Sequence, residues 1–508
     1  MTLHPSHSFE ELRSACLTPY TRRVERLPCI AVRPEVEFDA FVSRTTTLSL
    51  HSDAFVDEWI DQARNTSHLG TSMVPLGRVD RWNCDKKSGN ITHGTGRFFS
   101  IIGIHARHRL DHAELEWDQP IIEQPETGIL GILVHRIDGI LHVCLQAKEE
   151  PGNIGAVQLS PTIQATYSNY TKAHGGSSPP FLDLFINPDP ACCLFSRLQT
   201  EDGGRFLRKS NRNMIISAAD DFPVTLPEGF IWLTLRQVAE LMHRDNLINA
   251  CARSILSSLV FAGSGLATPE KSTAILGREI FDAEAVRHAV MWLPTPDGER
   301  THIASSLQWL DNRKSVNHII VQRKGLKELN EWHFDDKGFF SHIEGRFFRI
   351  VGLRISSDTR EVGSWCQPII ENPTPGIIGL LVRNGSCGRE ILMQTKAELG
   401  NKDIVQIGPT VQFTPGNYAS SKKLVKPFLF REFSDPKHFS VVYEGRQAEE
   451  GARFYRECHL HRILMLPDGM NLDLPDNFYW LPVRHISFLL HLGEKVNSCA
   501  RSILACLL

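Results

Sequence analysis

The sequence has almost no excess charge of either sign. Its 55 Lys and Arg residues are offset by 58 Asp and Glu residues, which leaves a formal net charge of −3 at pH 7. A domain that binds nucleic acid through its overall field carries a clear basic excess. We therefore predict no nucleic-acid partner, while a local basic site for a diphosphate remains compatible with this composition.

Long hydrophobic runs are absent as well. No uninterrupted apolar run approaches the roughly eighteen residues that a membrane helix needs, and Met1–His7 has neither the basic nor the apolar part of a secretory signal. Without an export signal, the twelve cysteines are expected to be reduced thiols. We predict a soluble cytoplasmic protein with no membrane association.

Several familiar catalytic motifs are missing. The sequence contains no dinucleotide fingerprint G-x-G-x-x-G on a strand-to-helix turn, no phosphate loop G-x-x-x-x-G-K-[ST] and no nucleophile elbow G-x-S-x-G. The pairs Cys458 with His461 and Cys84 with His93 have no second pair at zinc spacing. We predict neither a metal site nor a cofactor.

What the chain does contain is a long internal repeat. Gln119–Glu123 returns 248 residues later as Gln367–Glu371, and Cys251–Leu256 returns as Cys499–Leu504. A repeat of this period indicates two homologous domains rather than a solenoid. Other duplicated residues are Gly128–Gly131 with Gly376–Gly379, Gln146–Lys148 with Gln394–Lys396, Pro161–Thr162 with Pro409–Thr410, Gln164 with Gln412, and Asn249 with Asn497.

The repeat sets the predicted domain boundaries. We predict an N-terminal extension over 1–50, a first repeat over 51–260, a linker with a helix over 261–300, and a second repeat over 301–508. Each repeat has the size of one domain, so we expect two independent hydrophobic cores.

Local patterns predict the same α+β order in both repeats. Each begins with a helix, continues as a curved mixed or antiparallel sheet, and closes with a helix. Asp-Gly and Asn-Gly between apolar runs predict hairpin turns, and Thr234–Gln237 predicts a capping box. The predicted elements are helices over 52–64, 305–314 and 274–291, strands over 97–104, 128–134, 140–147 and 346–353, turns at Asp138–Gly139 and Asn384–Gly385, and closing helices from Leu235 to Leu256 and from Arg484 to Cys499 with a break at Gly493.

The stretch Gln146–Asn153 and its copy Gln394–Asn401 are the best candidates for chemistry. Each places an amide and an ammonium donor at the end of an apolar strand, before a Gly-Asn turn. Such donors suit a diphosphate or a sugar carbonyl. The alternative is a solvated strand end followed by an ordinary turn.

Aromatic and basic residues supply further candidates. Tyr170 and Tyr418 follow matching segments, and a tyrosine hydroxyl at a loop edge can act as an acid or bind a sugar hydroxyl; the alternative is a packed tyrosine. Trp82, Trp309 and Trp332 could stack on a pyrimidine, although a tryptophan is more often part of the core. Arg346 could clamp a phosphate or form an internal salt bridge.

Together these motifs resemble the NDP-hexose 2,3-dehydratases, which serve bacterial pathways that make deoxysugars for antibiotics and other natural products. The resemblance is carried by the doubled Gln-Pro-Ile-Ile-Glu, the Gly-Ile-Leu/Ile-Gly strand, Gln-Ala-Lys-x-Glu-Pro-Gly-Asn and Ser-Asn-Tyr, from about Trp59 to Leu508. It implies a Nudix-like fold, a homodimer, a substrate such as dTDP-4-keto-6-deoxy-D-glucose, no metal or redox cofactor, and a functionally coupled 3-ketoreductase.

The resemblance also implies roles for the candidate residues. Lys396 or Lys148 would stabilise an enolate or the diphosphate, Tyr418 or Tyr170 would act as acid or base, and Glu398 or Glu150 would be an alternative base. The second copy has Thr395, Leu399, Pro415 and Gly416 where the first has Ala147, Pro151, Tyr167 and Ser168. The sequence therefore leaves open which repeat is catalytic. The predicted substrate-binding residues are Trp82, Gln146, Tyr167, Ser168, Asn169, Trp309, Trp332, Arg346, Gln394, Thr395, Gly400, Asn401 and Asn417.

Two other functions stay open on the sequence. A Nudix-type nucleotide-sugar hydrolase would need a complete Nudix box, and Gly277–Ile280 lacks the glutamate pair that should follow. A non-catalytic protein that binds a sugar nucleotide would bind the substrate without consuming it.

Overall fold

The computed structural model describes residues 34–110, 113–166, 178–261, 280–292, 300–357, 363–385, 388–419 and 424–508. The first half contains α1 (Pro34–Thr45), α2 (Asp53–Asn65), β1 (Gly70–Val74), β2 (Trp82–Cys84), β3 (Ile91–His93), β4 (Ser100–Leu110), β5 (Ala113–Glu123), β6 (Ile129–Ile137), β7 (Ile140–Glu149), β8 (Val157–Pro161), β9 (Ile163–Ala165), α3 (Leu182–Ile186), β10 (Cys193–Thr200), β11 (Phe206–Leu207), β12 (Ser210–Ser217), β13 (Phe230–Leu233), α4 (Leu235–Met242) and α5 (Ala250–Leu256).

The remainder follows the same order after a connecting helix. It contains α6 (Ala283–Met291), α7 (Arg300–Val316), β14 (His318–Lys324), β15 (Trp332–Phe334), β16 (Phe340–His342), β17 (Arg349–Ser356), β18 (Ser364–Glu371), β19 (Gly376–Gly385), β20 (Gly388–Ala397), β21 (Val405–Gly408), β22 (Val411–Phe413), α8 (Pro415–Ala419), α9 (Phe430–Ser434), β23 (Ser440–Ala448), β24 (Cys458–Met465), β25 (Phe478–Pro482), α10 (Val483–Leu492) and α11 (Ser498–Leu504).

Each repeat builds one mixed seven-stranded sheet. The first has the order β10-β12-β6-β7-β13, with β8 paired to β7 and β9 paired to β6; the second has the order β23-β24-β19-β20-β25, with β21 and β22 in the matching places. In each sheet one central pair, β6–β12 or β19–β24, is parallel, while the other pairs are antiparallel. The described structure is therefore α+β with a twofold repeat.

The other two sheets exchange a strand between the repeats. Strand β14 of the second repeat pairs antiparallel with β4 of the first, placing Val321 opposite Ala106. In return, β1 of the first repeat pairs with β17 of the second, placing Met73 opposite Leu353. Each repeat thus completes a sheet of the other.

The hydrophobic core is shared for the same reason. One cluster contains Ile132 and Ile255 of the first repeat together with Leu380 and Ile503 of the second. A further cluster joins Ile101 to residues of the second repeat such as Phe340 and Trp332. The expectation of two independent cores is wrong, because strand exchange gives each core apolar residues from both halves.

Two buried arginines meet where α5 packs against α11. Arg253 Nε donates to Ser502 Oγ at 2.9 Å, and Arg501 Nε donates to Ser254 Oγ at 2.8 Å. Both guanidinium groups are essentially unexposed, and burial lowers the pKa of Arg501 to about 10. A buried cation needs several acceptors, which explains why the segment Cys-Ala-Arg-Ser-Ile-Leu occurs in both halves: each copy provides the partner for the other.

Most local predictions are confirmed. Helix α2 is capped by Ser52, whose side chain accepts from Phe55 N, and Thr234 forms the predicted capping box with Gln237. Asp138 and Gly139 both have positive φ, 49° and 83°, as a two-residue hairpin turn requires.

Two local predictions are wrong. The helix that begins at Leu235 ends at Met242 instead of running to Leu256, and a separate helix starts after the N-cap Asn249. Asn246 interrupts it with φ of 58°, a conformation that an α-helix cannot contain. In the second repeat, the predicted break at Gly493 is confirmed by φ of 75°.

The second wrong prediction concerns the position of the turn at Asn384–Gly385; the hairpin that β19 and β20 form is confirmed. Asn384 and Gly385 are the last residues of β19, paired with Arg389 and Gly388, so the chain reverses after them. Of the connecting helix predicted over 274–291, the described part is α6, Ala283–Met291; residues 274–279 lie outside the described residues. No described helix combines the length and the apolar character needed to cross a membrane.

Candidate active site

A lysine and a glutamate of each candidate stretch form an ion pair. Lys148 Nζ lies 3.4 Å from Glu150 Oε1 at the end of β7, and Lys396 Nζ lies 3.6 Å from Glu398 Oε1 at the end of β20. Both glutamates are buried, whereas the lysine side chains keep 22% and 27% of their surface exposed. Each pair therefore presents an ammonium group beside a desolvated carboxyl.

Each of these loops packs against a loop of the other repeat. Gly152 N donates to Gly451 O at 2.7 Å, and a Cβ on Gly152 would overlap the carbonyl oxygen of Phe454. The equivalent bond runs from Gly400 N to Gly203 O at 2.8 Å. Only glycine permits so close an approach of two backbones.

Two composite clusters result, and we name them by repeat. The first junction comprises Lys148, Glu150, Gln164 and, from the second repeat, Glu450. The second junction comprises Lys396, Glu398, Gln412 and, from the first repeat, Asp202.

In the first junction one amide group bridges two carboxyl groups. Gln164 Nε2 donates to Glu150 Oε1 at 3.0 Å and to Glu450 Oε1 at 3.1 Å. The carbonyl oxygen of the same side chain lies 3.5 Å from Asn249 Nδ2, at the start of α5. Two glutamates from different repeats are thereby held on either side of one side chain.

Glu450 brings to this cluster a carboxyl group whose pKa lies near neutral. Burial raises its pKa to about 7; Arg453 opposes the rise and the Glu150 carboxylate adds to it. A carboxyl group with such a pKa exchanges a proton readily at physiological pH. The first junction is therefore suited to proton transfer.

The second junction is arranged differently. Glu398 accepts from Gln412 Nε2 at 3.3 Å and from Asn401 Nδ2 at 3.1 Å. Asp202 instead accepts from the backbone of its own turn, with Gly204 N at 2.8 Å from Oδ1. Burial raises the pKa of Glu398, but the shorter aspartate stands where the first junction has Glu450.

The predicted tyrosine lies in an aromatic cluster. Tyr418 packs edge-on against Phe413 and Phe430, and burial raises the pKa of its hydroxyl, so the phenol is protonated at neutral pH. Arg346 Nη1 lies 3.4 Å from Asn417 O, which brings Arg346, Asn417 and Tyr418 together. Tyr167, Ser168, Asn169 and Tyr170 lie outside the described residues.

The three candidate tryptophans donate their indole N–H groups to backbone carbonyl oxygens. Trp82 donates to Cys366 O at 2.9 Å and Trp332 to Asp118 O at 2.8 Å. Trp332 is 7% exposed, a packing that favours the core alternative for this residue. Trp309 is half-buried and stacks on Tyr479 at 5.4 Å between ring centroids. Pyrimidine stacking by these residues stays a prediction.

The other predicted residues have backbone partners or intermediate exposure. Gln394 Nε2 donates to Pro409 O at 3.0 Å. The backbone N–H of the buried Thr395 donates to Asn477 O at 2.8 Å. Gln146 is half-buried. Among the described residues, no group of three or more His, Cys, Asp and Glu side chains is arranged to hold a metal ion.

Comparison with known proteins shows to which protein family the chain is related. The family model described as NDP-hexose 2,3-dehydratase matches residues 53–259 and again 303–507. The chain belongs to this family. It is 35% identical over 487 residues, 94% of this chain and 96% of the relative, to dTDP-4-dehydro-6-deoxy-alpha-D-glucopyranose 2,3-dehydratase of Amycolatopsis orientalis.

Two other NDP-hexose 2,3-dehydratases with the same name are similar. That of Saccharopolyspora spinosa is 35% identical over 449 residues, covering 88% of this chain and 90% of the relative. The protein of Streptomyces violaceoruber is 33% identical over 451 residues, covering 88% of this chain and 95% of the relative. The family predicted from the repeated motifs is thereby confirmed.

The sequence alone did not indicate the residues that each repeat of this chain contributes to the site of the other. Glu450 and Asp202 were not among the predicted site residues. A signal was present, because Glu201–Gly203 returns as Glu449–Gly451 with two acidic residues before a glycine in both copies. What the linear pattern lacked was any indication that these turns meet the Lys-x-Glu loops of the opposite repeat.

Proposed function

We propose that this protein catalyses the 2,3-dehydration of dTDP-4-keto-6-deoxy-D-glucose. The observation that carries the proposal is the family match over both repeats, with dehydratase relatives that are similar over 88% to 94% of the chain. The relatives give no support to the two alternatives, a Nudix-type hydrolase and a non-catalytic binding protein.

The chemistry follows from the C4 ketone of the substrate. The ketone acidifies the C3 proton, so a base can remove it and leave an enolate whose oxygen needs a cationic partner or a hydrogen-bond donor. When the C4 carbonyl re-forms, a C2–C3 double bond appears and the C2 hydroxyl leaves as water. The product enol tautomerises to a 3,4-diketo-2,6-dideoxy sugar, which makes the enzyme a carbon–oxygen lyase.

A Lys–Glu pair has the residue types that this sequence of steps requires. The ammonium group of Lys148 or Lys396 would stabilise the enolate oxygen or the diphosphate, and the carboxylate of Glu150 or Glu398 would remove the C3 proton. The raised pKa of Tyr418 suits a hydrogen-bond donor or acid rather than a base. Tyr170 would have the corresponding role in the first repeat.

We also propose the finer features that the resemblance implies. Each repeat would be Nudix-like, as its mixed sheet with one parallel central pair and a packed helix supports. The protein would act as a cytoplasmic homodimer, and a 3-ketoreductase would consume the reactive diketo product.

The proposal is tested with purified protein and dTDP-4-keto-6-deoxy-D-glucose in D₂O, with a 3-ketoreductase and its nicotinamide cofactor as the trap. We expect a trapped product that has lost water and carries deuterium at C2, because the enol is protonated by solvent. Heat-denatured protein is the control. An unchanged ketosugar, or release of thymidine monophosphate only when Mg²⁺ is added, would overturn the proposal.

A further inference from the structure

The two junctions differ in whether their buried polar atoms have partners. In the second junction both carboxyl oxygens of Glu398 accept hydrogen bonds. The neighbouring Gln406 is also satisfied, because its Oε1 accepts from Thr200 Oγ1 and its Nε2 donates to Glu494 O, both at 2.8 Å. The buried polar atoms of Glu398 and Gln406 are thus bonded to side-chain and backbone groups of the protein itself.

The first junction leaves the equivalent atoms open. Glu150 is 5% exposed, yet its Oε2 has no hydrogen-bond partner among the described residues. Asn153 is the counterpart of Asn401, but its side-chain amide does not donate to the glutamate. Asn153 Nδ2 donates instead to the backbone oxygens of Lys148 and Ala156, each at 3.0 Å. In the described part of the chain, Glu150 Oε2 therefore remains without a hydrogen-bond donor.

Gln158 gives a second, independent sign of an open site. It is 1% exposed, and neither atom of its amide has a partner in the described part of the chain. Gln158 lies directly opposite Lys148 on neighbouring antiparallel strands, so the two side chains emerge on the same face of the sheet. The threonine that satisfies Gln406 is replaced in the other half by Ala448, 248 residues after Thr200.

A buried polar group without a hydrogen-bond partner destabilises the folded protein, because it has lost its bonds to water. A bound ligand that supplies the missing hydrogen-bond partners would remove this destabilisation. The open groups are a carboxylate oxygen, an amide with one donor and one acceptor side, and a neighbouring ammonium group. A hydroxylated sugar with a ketone is complementary to this set, because it offers both hydroxyl donors and carbonyl acceptors.

We infer that the first junction is the reaction site and that Glu450, contributed by the second repeat, is its second catalytic carboxyl group. This inference rests on the proposed dehydration. Glu150 takes the C3 proton on its open oxygen, and Lys148 stabilises the enolate oxygen at C4. Protonated Glu450 gives its proton to the C2 hydroxyl, the C2–O bond breaks, and water leaves.

The protons balance over the two carboxyl groups. Before the reaction Glu450 holds one proton and Glu150 none; afterwards Glu150 holds one and Glu450 none. Transfer of that proton from Glu150 back to Glu450 through water restores the starting state, so that substrate is converted to product and water with no net proton uptake. Gln164, which donates to both carboxyl groups, holds them side by side for this return.

The charged surroundings of Glu450 come from both repeats. Arg453 and Lys148 favour its ionised form, and Glu150 and Glu201 disfavour it. The buried Lys209 also faces this group of charges. Glu450 must be protonated to act as an acid. We therefore expect kcat to fall above about pH 7.

The test compares Glu450→Gln and Glu150→Gln with Glu398→Gln, the counterpart of Glu150 in the second junction. Glu444→Gln, an exposed glutamate of the same repeat, is the matched control. kcat and KM are measured in the reductase-coupled assay from about pH 5.5 to pH 8.5. We expect kcat to fall about 100-fold or more in the two first-junction variants, at least ten times further than in Glu398→Gln, and we expect Glu450→Gln to lose the decline above pH 7.

The outcomes separate this inference from the proposed function. If wild type consumes the ketosugar while Glu450→Gln keeps its kcat and its pH profile, or Glu398→Gln loses more activity, the inference is overturned and the dehydratase function stands. If wild type is inactive, both fall. If thermal melting shows that Glu450→Gln does not fold, Glu450→Asp is tested in its place. We expect this variant to have a reduced kcat and to keep the decline in kcat at alkaline pH. An unchanged kcat would contradict the inference.

Discussion

At the scale of single residues, burial gives chemically identical side chains different roles. Glu444 on β23 is exposed, whereas Glu450 lies only six residues later among charges from both repeats and has a pKa raised to about 7. The cause is chiefly the loss of water around the carboxylate. Position in the fold, and not residue type, decides which glutamate can exchange a proton at neutral pH.

This difference predicts how stability depends on pH. The pKa of Glu450 rises from an ordinary 4.5 to about 7 in the folded protein, so its contribution to stability is present below pH 4.5 and is lost as pH rises through 7. Glu450→Gln is neutral throughout and should melt higher than wild type at pH 8 and equally at pH 4, measured by differential scanning fluorimetry. Glu444→Gln is the control; parallel melting curves for wild type and Glu450→Gln would contradict the prediction.

The sequence predicted part of the site at this scale. The sequence correctly indicated that Lys148 and Lys396 lie at strand ends, because an apolar run followed by a Gly-Asn turn marks where a strand stops. It could not indicate Glu450 or Asp202. These residues reach the site only through contacts between segments roughly 300 and 200 residues apart in the chain, and such contacts are a property of the tertiary fold.

At the scale of elements, the helices α5 and α11 hold the two repeats together. Arg253 also donates to the backbone oxygens of Ala448, at 2.6 Å, and of Ile248. These bonds satisfy carbonyl groups that water cannot reach. The duplicated hexapeptide is therefore a structural clasp between the repeats.

Replacing Arg253 tests this clasp. Arg253→Met keeps much of the side-chain volume but leaves Ser502 and two carbonyl groups without their donor, so we expect a loss of about 3–5 kcal/mol in the free energy of unfolding. Urea unfolding followed by circular dichroism measures it. Arg244→Met, at an arginine whose side chain is 47% exposed and pairs with Asp57, is the control and should cost at most about 1 kcal/mol. Equal losses in the two variants would refute the clasp.

Local elements were predictable where short-range chemistry fixes them. Thr234 caps its helix as the sequence indicated, because a cap depends only on residues within one turn. The closing helix was predicted too long, since its apolar pattern continues through Asn246 while the backbone there is left-handed. Packing of α5 against the other repeat overrides that pattern.

At the scale of the whole molecule, the exchange of β1 and β14 makes the two repeats interdependent. Without β14 the edge of β4 loses its partner, and without β1 the edge of β17 does. The shared clusters would also lose apolar residues from one side. A repeat on its own therefore exposes both sheet edges and core.

Separate expression of residues 34–292 and 300–508 tests this interdependence. We expect neither fragment to show a cooperative thermal transition alone, because unpaired strand edges and exposed apolar surface favour association. Refolding the two together should restore one cooperative transition and co-elution in size-exclusion chromatography. The intact chain is the control, and cooperative melting of either fragment by itself would contradict the prediction.

The sequence by itself determined the duplication, the α+β class, the capping box at Thr234, one hairpin turn and the family, because these depend on residue order and on contacts within a few residues. Only the tertiary structure decided that the repeats share cores, that each Lys-x-Glu loop meets an acidic turn of the opposite repeat, and that both carboxyl oxygens of Glu398 accept hydrogen bonds while Glu150 Oε2 has no donor in the described part of the chain. These features depend on which distant surfaces come together when apolar area is buried, and linear order does not specify that.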